Sequence, residues 1–145
     1  MTQPYLFPDL AEFHLVRVDM TPRGKERAGR GKNGTFYTPR QTVKVETQIT
    51  FAWKNQVGRQ AYPAHVPVVF ILEVNFERPL SARKGKAFRK YPTVKPDWDN
   101  IGKLVADALN TVAYHDDCQV VEAHIYKRYV NEPPFVRFWT EEKTD

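Results

Sequence analysis

The chain has almost no cysteine and no long hydrophobic run. Of its 145 residues only Cys118 is a cysteine, so no intrachain disulfide can form and nothing marks a secreted, disulfide-stapled domain. The longest apolar run, residues 66–72, is far shorter than the roughly 20 residues that span a bilayer. The first residues lack the charge and apolar pattern of a signal peptide. We therefore expect a soluble, cytoplasmic protein with no membrane partner.

Acidic residues are nearly missing from two segments. Residues 21–44 carry seven lysines and arginines against one acid, and residues 78–95 carry seven against none. Their glycines and prolines predict flexible loops at about 21–36 and 78–95. With a net charge of +5, this pattern favours an anionic partner, nucleic acid first, although solvated loops explain either segment equally well. The candidate DNA-binding residues in these segments are Arg23, Lys25, Arg27, Arg30, Lys32, Arg83, Lys84, Lys86, Arg89 and Lys90.

Hydrophobic periodicity predicts a single α+β domain over residues 1–145. Strands are expected at 12–18, 66–76, 119–129 and 135–139. A first helix is expected to begin at Thr38 as N-cap, with Pro39 in the first helical position and Gln41 completing a capping box. Its apolar face would hold Val45, Ile49, Ala52 and Trp53. The order strand, helix, strand, helix, strand, strand predicts a mixed β-sheet with two main helices packed on it.

The second helix has the clearest pattern. An apolar stripe recurs at helical spacing through Ile101, Leu104, Val105, Ala108, Leu109 and Val112. The opposite face carries Asp99, Lys103 and Asp107, and Asp97 stands where an N-cap is expected. In the strand that follows, Val121, Ala123 and Ile125 are expected on one face, and Glu122, His124, Tyr126 and Arg128 on the other.

Four carboxylates flank this helix, at Asp97 and Asp99 before it and at Asp116 and Asp117 after it. Taken singly, they fit a helix cap, a dipole partner and a turn. Brought together they would repel one another, and a hard divalent cation such as Mg²⁺ relieves that repulsion. Two such ions about 4 Å apart suit phosphodiester hydrolysis. Lys103 fits either an i,i+4 ion pair or a cation for the reacting phosphate.

Other chemistries are less well supported. Cys118 lacks a thiolate-stabilising motif, so we expect a small buried residue there. The four histidines show no zinc spacing, and His115 beside Asp116 is left as a weak candidate for proton transfer. The sequence has no phosphate-binding glycine loop, so we expect no small-molecule cofactor.

Three motifs carry a resemblance. Residues 96–103 read P-D-W-D-N-I-G-K, residues 107–109 read D-A-L, and residues 116–122 read D-D-C-Q-V-V-E. This pattern resembles the RusA family of Holliday junction resolvases, whose own pattern is P-D-x-D-N-x-x-K, then D-A-L, then D-D-x-Q-V. Weaker similarities lie at residues 25–27, 37–39 and 127–129. Trp98 departs from the family, because its position is usually aliphatic.

The resemblance implies a homodimeric endodeoxyribonuclease that depends on Mg²⁺, with Mn²⁺ as a substitute, and resolves four-way junctions in branched DNA. Asp97, Asp99 and Asp117 would be the catalytic metal-binding acids, Asp116 a further ligand, and Lys103 the catalytic lysine. Lys127 joins the candidate DNA-binding residues. A bacterial, phage or prophage origin fits. A non-catalytic branched-DNA-binding protein and a nuclease for flaps or forks stay open as alternatives.

Overall fold

A computed structural model describes residues 15–83 and 89–145. In these two ranges the strands are β1 Val16–Asp19, β2 Gly29–Arg30, β3 Phe36–Tyr37, β4 Val68–Glu77, β5 Val120–Val130 and β6 Phe135–Glu142. The helices are α1 Arg40–Gln56, α2 Leu80–Arg83 and α3 Trp98–Ala108. Four strands form one mixed sheet in the spatial order β1, β6, β4, β5, and β2 pairs with β3. The predicted α+β fold, with two main helices on a mixed sheet, is confirmed.

Strand β4 is the centre of the sheet because its neighbours cover it on both sides. It pairs antiparallel with β6 and parallel with β5, and residues 68–75 are all buried. Such a strand needs a nearly continuous apolar sequence, which the run beginning at Val68 supplies. Parallel neighbours cannot be joined by a tight turn, so the chain crosses over through α3. This crossover lays α3 beside β5.

The main core lies between this sheet and the helices α1 and α3. Ile49, Trp53, Leu72, Leu104 and Leu109 are among its fully buried side chains. The predicted stripe of the second helix is buried from Ile101 to Leu109, while α3 ends at Ala108 rather than continuing to Val112. A Cβ atom at Gly102 would lie 2.7 Å from Ile125 Cδ1. Glycine at this position therefore lets α3 approach β5 closely.

The predicted start of the first helix is wrong. Helix α1 begins at Arg40, and Pro39 occupies the N-cap position with extended backbone, φ −53° and ψ 140°. Proline has no side-chain oxygen to cap the helix, so the expected capping box of Thr38 and Gln41 does not form. Thr42, which was not predicted as a core residue, is fully buried.

The predicted alternation of side chains along β5, with Val121, Ala123 and Ile125 on one face, is also partly wrong. Val121 is 62 % exposed, and Val120 packs against the core instead. The cause is a register shift, because Val68 pairs with Val120 whereas Val69 pairs with Glu122. One extra residue in β5 turns Val121 outward. Ile125 packs against the core as expected.

Both predicted loops contain short regular elements. The β2–β3 hairpin lies within the first loop, and α2 begins the second. Of the strand predicted at 12–18, residues 12–14 lie outside the described part of the chain, and the strand continues to Asp19. Within residues 15–83 and 89–145, no helix has the length and apolar character needed to cross a membrane.

Candidate active site

An open cavity of about 230 Å³ lies between α3 and β5. Its wall on α3 is formed by positions three to four residues apart, which share one face of the helix. Asp99 and Lys103 lie on this wall, and Asp117 approaches from the turn before β5. The structure thus places three of the predicted site residues around a single cavity. The remaining lining residues are Phe70, Trp98, Gly102, Ala106, Val120, Ala123 and Ile125.

Asp97 precedes this wall at the N-cap of α3. Its backbone is extended, with φ −66° and ψ 149°, and its carbonyl accepts the helical hydrogen bond from the Ile101 N–H at 3.1 Å. The Asp97 side chain makes no capping hydrogen bond and does not line the cavity. The residue therefore fills the predicted position in the helix while its carboxylate serves no capping role.

A buried amide holds the turn that carries Asp116 and Asp117. Gln119 Oε1 accepts from the Asp116 N–H at 2.9 Å, and Gln119 Nε2 donates to the carbonyls of Pro63 at 2.7 Å and Val66 at 3.0 Å. The Asp117 N–H donates to Asn110 Oδ1 at 2.8 Å. Gln119 and Asn110 were not predicted as site residues. The glutamine of the D-D-x-Q-V motif was the only sequence signal for this arrangement.

The carboxyl groups of Asp107 and Asp117 affect each other's ionisation. Burial, the interaction with the Asp107 carboxyl group and the negative charge of Asp116 raise the pKa of Asp117, although Lys103 acts in the opposite direction. Burial acts to raise the pKa of Asp107 as well, but the hydrogen bond from Lys25, the interaction with Asp117 and the charges of Lys25 and Lys103 hold it below its usual range. The pKa values of these two neighbouring carboxyl groups are therefore shifted in opposite directions.

Lys25 connects the first basic segment to this site. Its Nζ lies 2.5 Å from Asp107 Oδ2 and 3.2 Å from Glu46 Oε1, and its backbone N–H donates to the Asn100 carbonyl at 3.3 Å. Lys103 Nζ lies 3.5 Å from the same Asp107 oxygen. Lys25 was predicted as a DNA-binding residue, and here it pairs with two carboxylates of the protein. Nothing in the sequence distinguished it from the neighbouring loop cations.

The sequence of the chain matches that of a known protein family. The sequence profile of the family "Endodeoxyribonuclease RusA" matches residues 19–137, which is most of the chain and includes every carboxylate described above. The chain belongs to the RusA endodeoxyribonuclease family. It is also 55 % identical over 42 residues to the "Uncharacterized protein YqaN" of Bacillus subtilis (strain 168). That match spans 29 % of this chain and 30 % of the relative.

Lys127 supports the segment that precedes Asp97 in this RusA-family fold. Its Nζ donates to the carbonyls of Val94 at 2.5 Å and Pro96 at 2.9 Å, and it lies 5.4 Å from the centre of the Phe76 ring. Lys127 was predicted as a DNA-binding residue. Its contacts hold the backbone next to Asp97, a role that the sequence pattern did not indicate.

The other predicted DNA-binding residues differ in their surroundings. Arg23 pairs with Glu26, and Arg89 donates to Thr93 Oγ1 at 3.3 Å. Lys84, Lys86 and the side chain of Arg83 lie outside the described residues. Those that are exposed at the surface are Arg27, Arg30, Lys32, Arg89 and Lys90.

Cys118 is exposed, so the prediction of a buried residue is wrong. A hydrogen bond to Asp116 and the negative charges of Asp116 and Asp117 raise the pKa of the Cys118 thiol, which disfavours the nucleophilic thiolate. In the part of the chain that the structure describes, no group of three or more His, Cys, Asp or Glu side chains is arranged to hold a metal ion. The metal site formed by Asp97, Asp99, Asp116 and Asp117 stays a prediction.

Proposed function

We propose that this RusA-family chain is a divalent-metal-dependent endonuclease that resolves four-way DNA junctions as a homodimer, with Mg²⁺ as its ion and Mn²⁺ as a substitute. The observation that carries the proposal is the placement of Asp99, Lys103 and Asp117 around one cavity in a chain that matches the family over residues 19–137. A homodimer would present two such cavities, which fits paired cuts in two strands of one junction.

The residues at the cavity fit a hard divalent ion. Asp99 and Asp117 offer carboxylate oxygens, the ligands that Mg²⁺ prefers. Burial and the neighbouring acids Asp107 and Asp116 raise the pKa of Asp117, and a bound cation would favour its ionised form. We propose Asp97 and Asp116 as further ligands, because each neighbours this pair in sequence. A bound Mg²⁺ supplies Lewis acidity at the scissile phosphate.

Lys103 is the residue that we propose to contact the reacting phosphate. Its side chain is 62 % exposed and extends from the same helix face as Asp99. Its 3.5 Å separation from Asp107 Oδ2 is longer than a good charge-assisted hydrogen bond. The ammonium group can therefore exchange this weak pair for a phosphate oxygen, where it would stabilise charge that develops in the transition state.

The exposed cations of the two basic segments would hold the DNA backbone. We propose that Arg27 just before β2, Arg30 and Lys32 on the β2–β3 hairpin, and Arg89 and Lys90 beyond α2 contact phosphates and release counterions. Binding should therefore weaken steeply as the salt concentration rises. Arg23, Lys25, Arg83, Lys84, Lys86 and Lys127 complete the proposed set, with Lys25 and Lys127 acting at the edge of the site.

The test is cleavage of a synthetic four-way junction. Wild-type protein should make paired nicks in Mg²⁺ or Mn²⁺, and chelator should stop them. Asp99→Asn and Lys103→Met should each reduce cleavage by at least about 100-fold while junction binding in a gel shift is retained. Glu142→Gln, at the exposed end of β6, is the matched control and should cleave normally.

The same assay separates the alternatives. Binding without nicks in any divalent metal would show a non-catalytic branched-DNA-binding protein. Faster cleavage of flaps or forks than of four-way junctions, measured at one salt concentration, would show another substrate class. Cleavage that persists in excess chelator would overturn the proposed role of the metal.

A further inference from the structure

Trp98 is a large aromatic side chain placed at the surface beside the proposed catalytic residues. It is 62 % exposed at the first position of α3, between Asp97 and Asp99. By contrast, Trp53 is 1 % exposed in the core. Leaving a tryptophan in water forgoes the free energy that its burial would contribute. Trp98 thus gives the fold little of the stabilisation that a buried tryptophan would supply.

The cavity beside Trp98 combines an apolar wall with a charged edge. Gly102, Ala106, Val120, Ala123 and Ile125 supply small or aliphatic surface along α3 and β5. The charged edge consists of Asp99, Lys103 and Asp117. A ligand that fits this lining has a flat apolar face attached to a phosphate, and a nucleobase of the cleaved strand has this chemistry.

We propose that this cavity is a base-binding subsite, in which an unstacked base next to the scissile phosphate lies against the Trp98 ring. The proposal rests on the proposed endonuclease function and deepens it. In an intact duplex each base face is covered by a neighbour, so the base must first leave the stack. At a branch point a base can reach an aromatic surface at lower cost. Trp98 would therefore favour branched over linear DNA at the cleavage step.

The charges around the cavity favour DNA over a second copy of this chain as the occupant. The centre of a protein–protein interface is depleted in charged residues. Here two carboxylates and an ammonium group, those of Asp99, Asp117 and Lys103, surround the apolar wall within one cavity. Covering them with another protein surface would remove these charges from water without supplying partners. A nucleotide brings a phosphate for Lys103, and Mg²⁺ accompanies it for the acids.

The test uses four-way junctions in which 2-aminopurine replaces one base at successive positions around the branch. Protein carrying Asp99→Asn binds without cutting, and Trp98, Trp98→Phe and Trp98→Ala are compared in that background. At one position Trp98 should quench the 2-aminopurine fluorescence, Trp98→Phe should quench it partly, and Trp98→Ala should not. Without Asp99→Asn, Trp98→Ala should lower kcat/KM on the junction by about 5- to 150-fold.

Two controls make the outcome decisive. Phe51, which is 68 % exposed on α1 and does not line the cavity, gives the matched variant Phe51→Ala, expected to behave as wild type. A linear duplex tests whether Trp98→Ala acts only on branched DNA. Equal quenching by Trp98 and Trp98→Ala would overturn the subsite. So would a shift from dimer to monomer in sedimentation of Trp98→Ala, because Trp98 would then belong to the dimer interface. If the wild type never nicks the junction yet Trp98 still quenches one base, the subsite stands and the proposed nuclease activity fails.

Discussion

Substitution of Gln119 should weaken the turn that carries Asp117 and lower the stability of the protein. Gln119 is 6 % exposed, and its amide makes three hydrogen bonds, at 2.9, 2.7 and 3.0 Å. Gln119→Leu keeps the approximate volume and removes all three. The Asp116 N–H and the Val66 carbonyl would lose these partners, whereas the Pro63 carbonyl would keep the hydrogen bond from the Val66 N–H at 3.0 Å.

The size of the effect follows from these three groups. A buried polar group left without a partner costs about 1–3 kcal/mol. Pro63 is exposed and Val66 is half-buried, so water can reach part of the vacated space. We therefore expect Gln119→Leu to lower the free energy of unfolding by about 2–4 kcal/mol, less than three full penalties. Against a typical total stability of about 5–15 kcal/mol, this is a large change.

Gln119→Glu gives a sharper form of the same prediction. Its carboxylate can still accept from the Asp116 N–H, but its second oxygen would face two carbonyl oxygens at the present 2.7 and 3.0 Å. The folded state therefore raises the pKa of this new carboxyl group above the value of about 4.3 in the unfolded chain. The protonated form is compatible with the fold, so stability should be highest below about pH 4 and fall as pH rises through the raised pKa.

The measurement is urea unfolding followed by tryptophan fluorescence at pH 4 and pH 8. Gln48, an exposed residue of α1, gives the matched controls Gln48→Leu and Gln48→Glu, expected to change stability by less than about 0.5 kcal/mol. A Gln119→Leu protein within about 0.5 kcal/mol of wild type, or a Gln119→Glu protein whose stability rises with pH relative to wild type, would refute the reasoning.

Three further predictions concern the charges of the site. Lys25→Met should lower the free energy of unfolding by about 1–3 kcal/mol in urea titrations, since the side chains of Lys25 and its partner Asp107 are only 26 % and 14 % exposed. Lys25→Arg should lower it by less. An equal loss of stability in both variants would contradict a charge effect. The raised pKa of Asp117 means that its ionisation opposes folding, so Asp117→Asn should raise the Tm of metal-free protein at pH 7, whereas Asp107→Asn, which loses the Lys25 ion pair, should lower the Tm. Mg²⁺ should raise the Tm of wild type but not of Asp117→Asn. A Tm change in the same direction for both variants would count against this charge balance. Lys127→Met should reduce junction cleavage by about 10-fold or more in a nicking assay, because the Val94 and Pro96 carbonyls next to Asp97 lose their hydrogen-bond donor. Lys127→Arg should be intermediate. Unchanged cleavage would show that these hydrogen bonds are dispensable.

The spacing of apolar residues predicted those parts of the fold in which one pattern repeats along a single helix or strand. The stripe from Ile101 to Leu109 is buried as expected, because a helix that packs against a sheet must put every third or fourth side chain into the core. The β-branched run that begins at Val68 became the central strand for the same kind of reason. Val121 shows where this reasoning stops, since a single extra residue in β5 reverses the alternation and no local pattern marks it.

The site was less predictable because its supports come from distant parts of the chain. Asp99 and Lys103 share a helix face at a spacing of four residues, which the sequence shows directly. Gln119 instead contacts carbonyls 53 and 56 residues away, and backbone carbonyls have no residue-type signature. Lys25 pairs with an acid 82 residues away, so its sequence neighbours suggested only another loop cation.

These distant contacts would connect the proposed DNA-binding segment with the proposed catalytic residues. The residues around the cavity belong to the β4–α3–β5 crossover, which places Asp99 and Lys103 on a helix beside β5. The first basic segment is attached to the same helix by Lys25, through the Asn100 carbonyl and the Asp107 carboxylate. The Asp107 carboxyl group in turn raises the pKa of its neighbour Asp117. A DNA phosphate that moves the first basic segment would disturb the Lys25–Asp107 ion pair, which neighbours Asp117, a proposed metal ligand. Loss of Lys25 should therefore alter catalysis as well as stability.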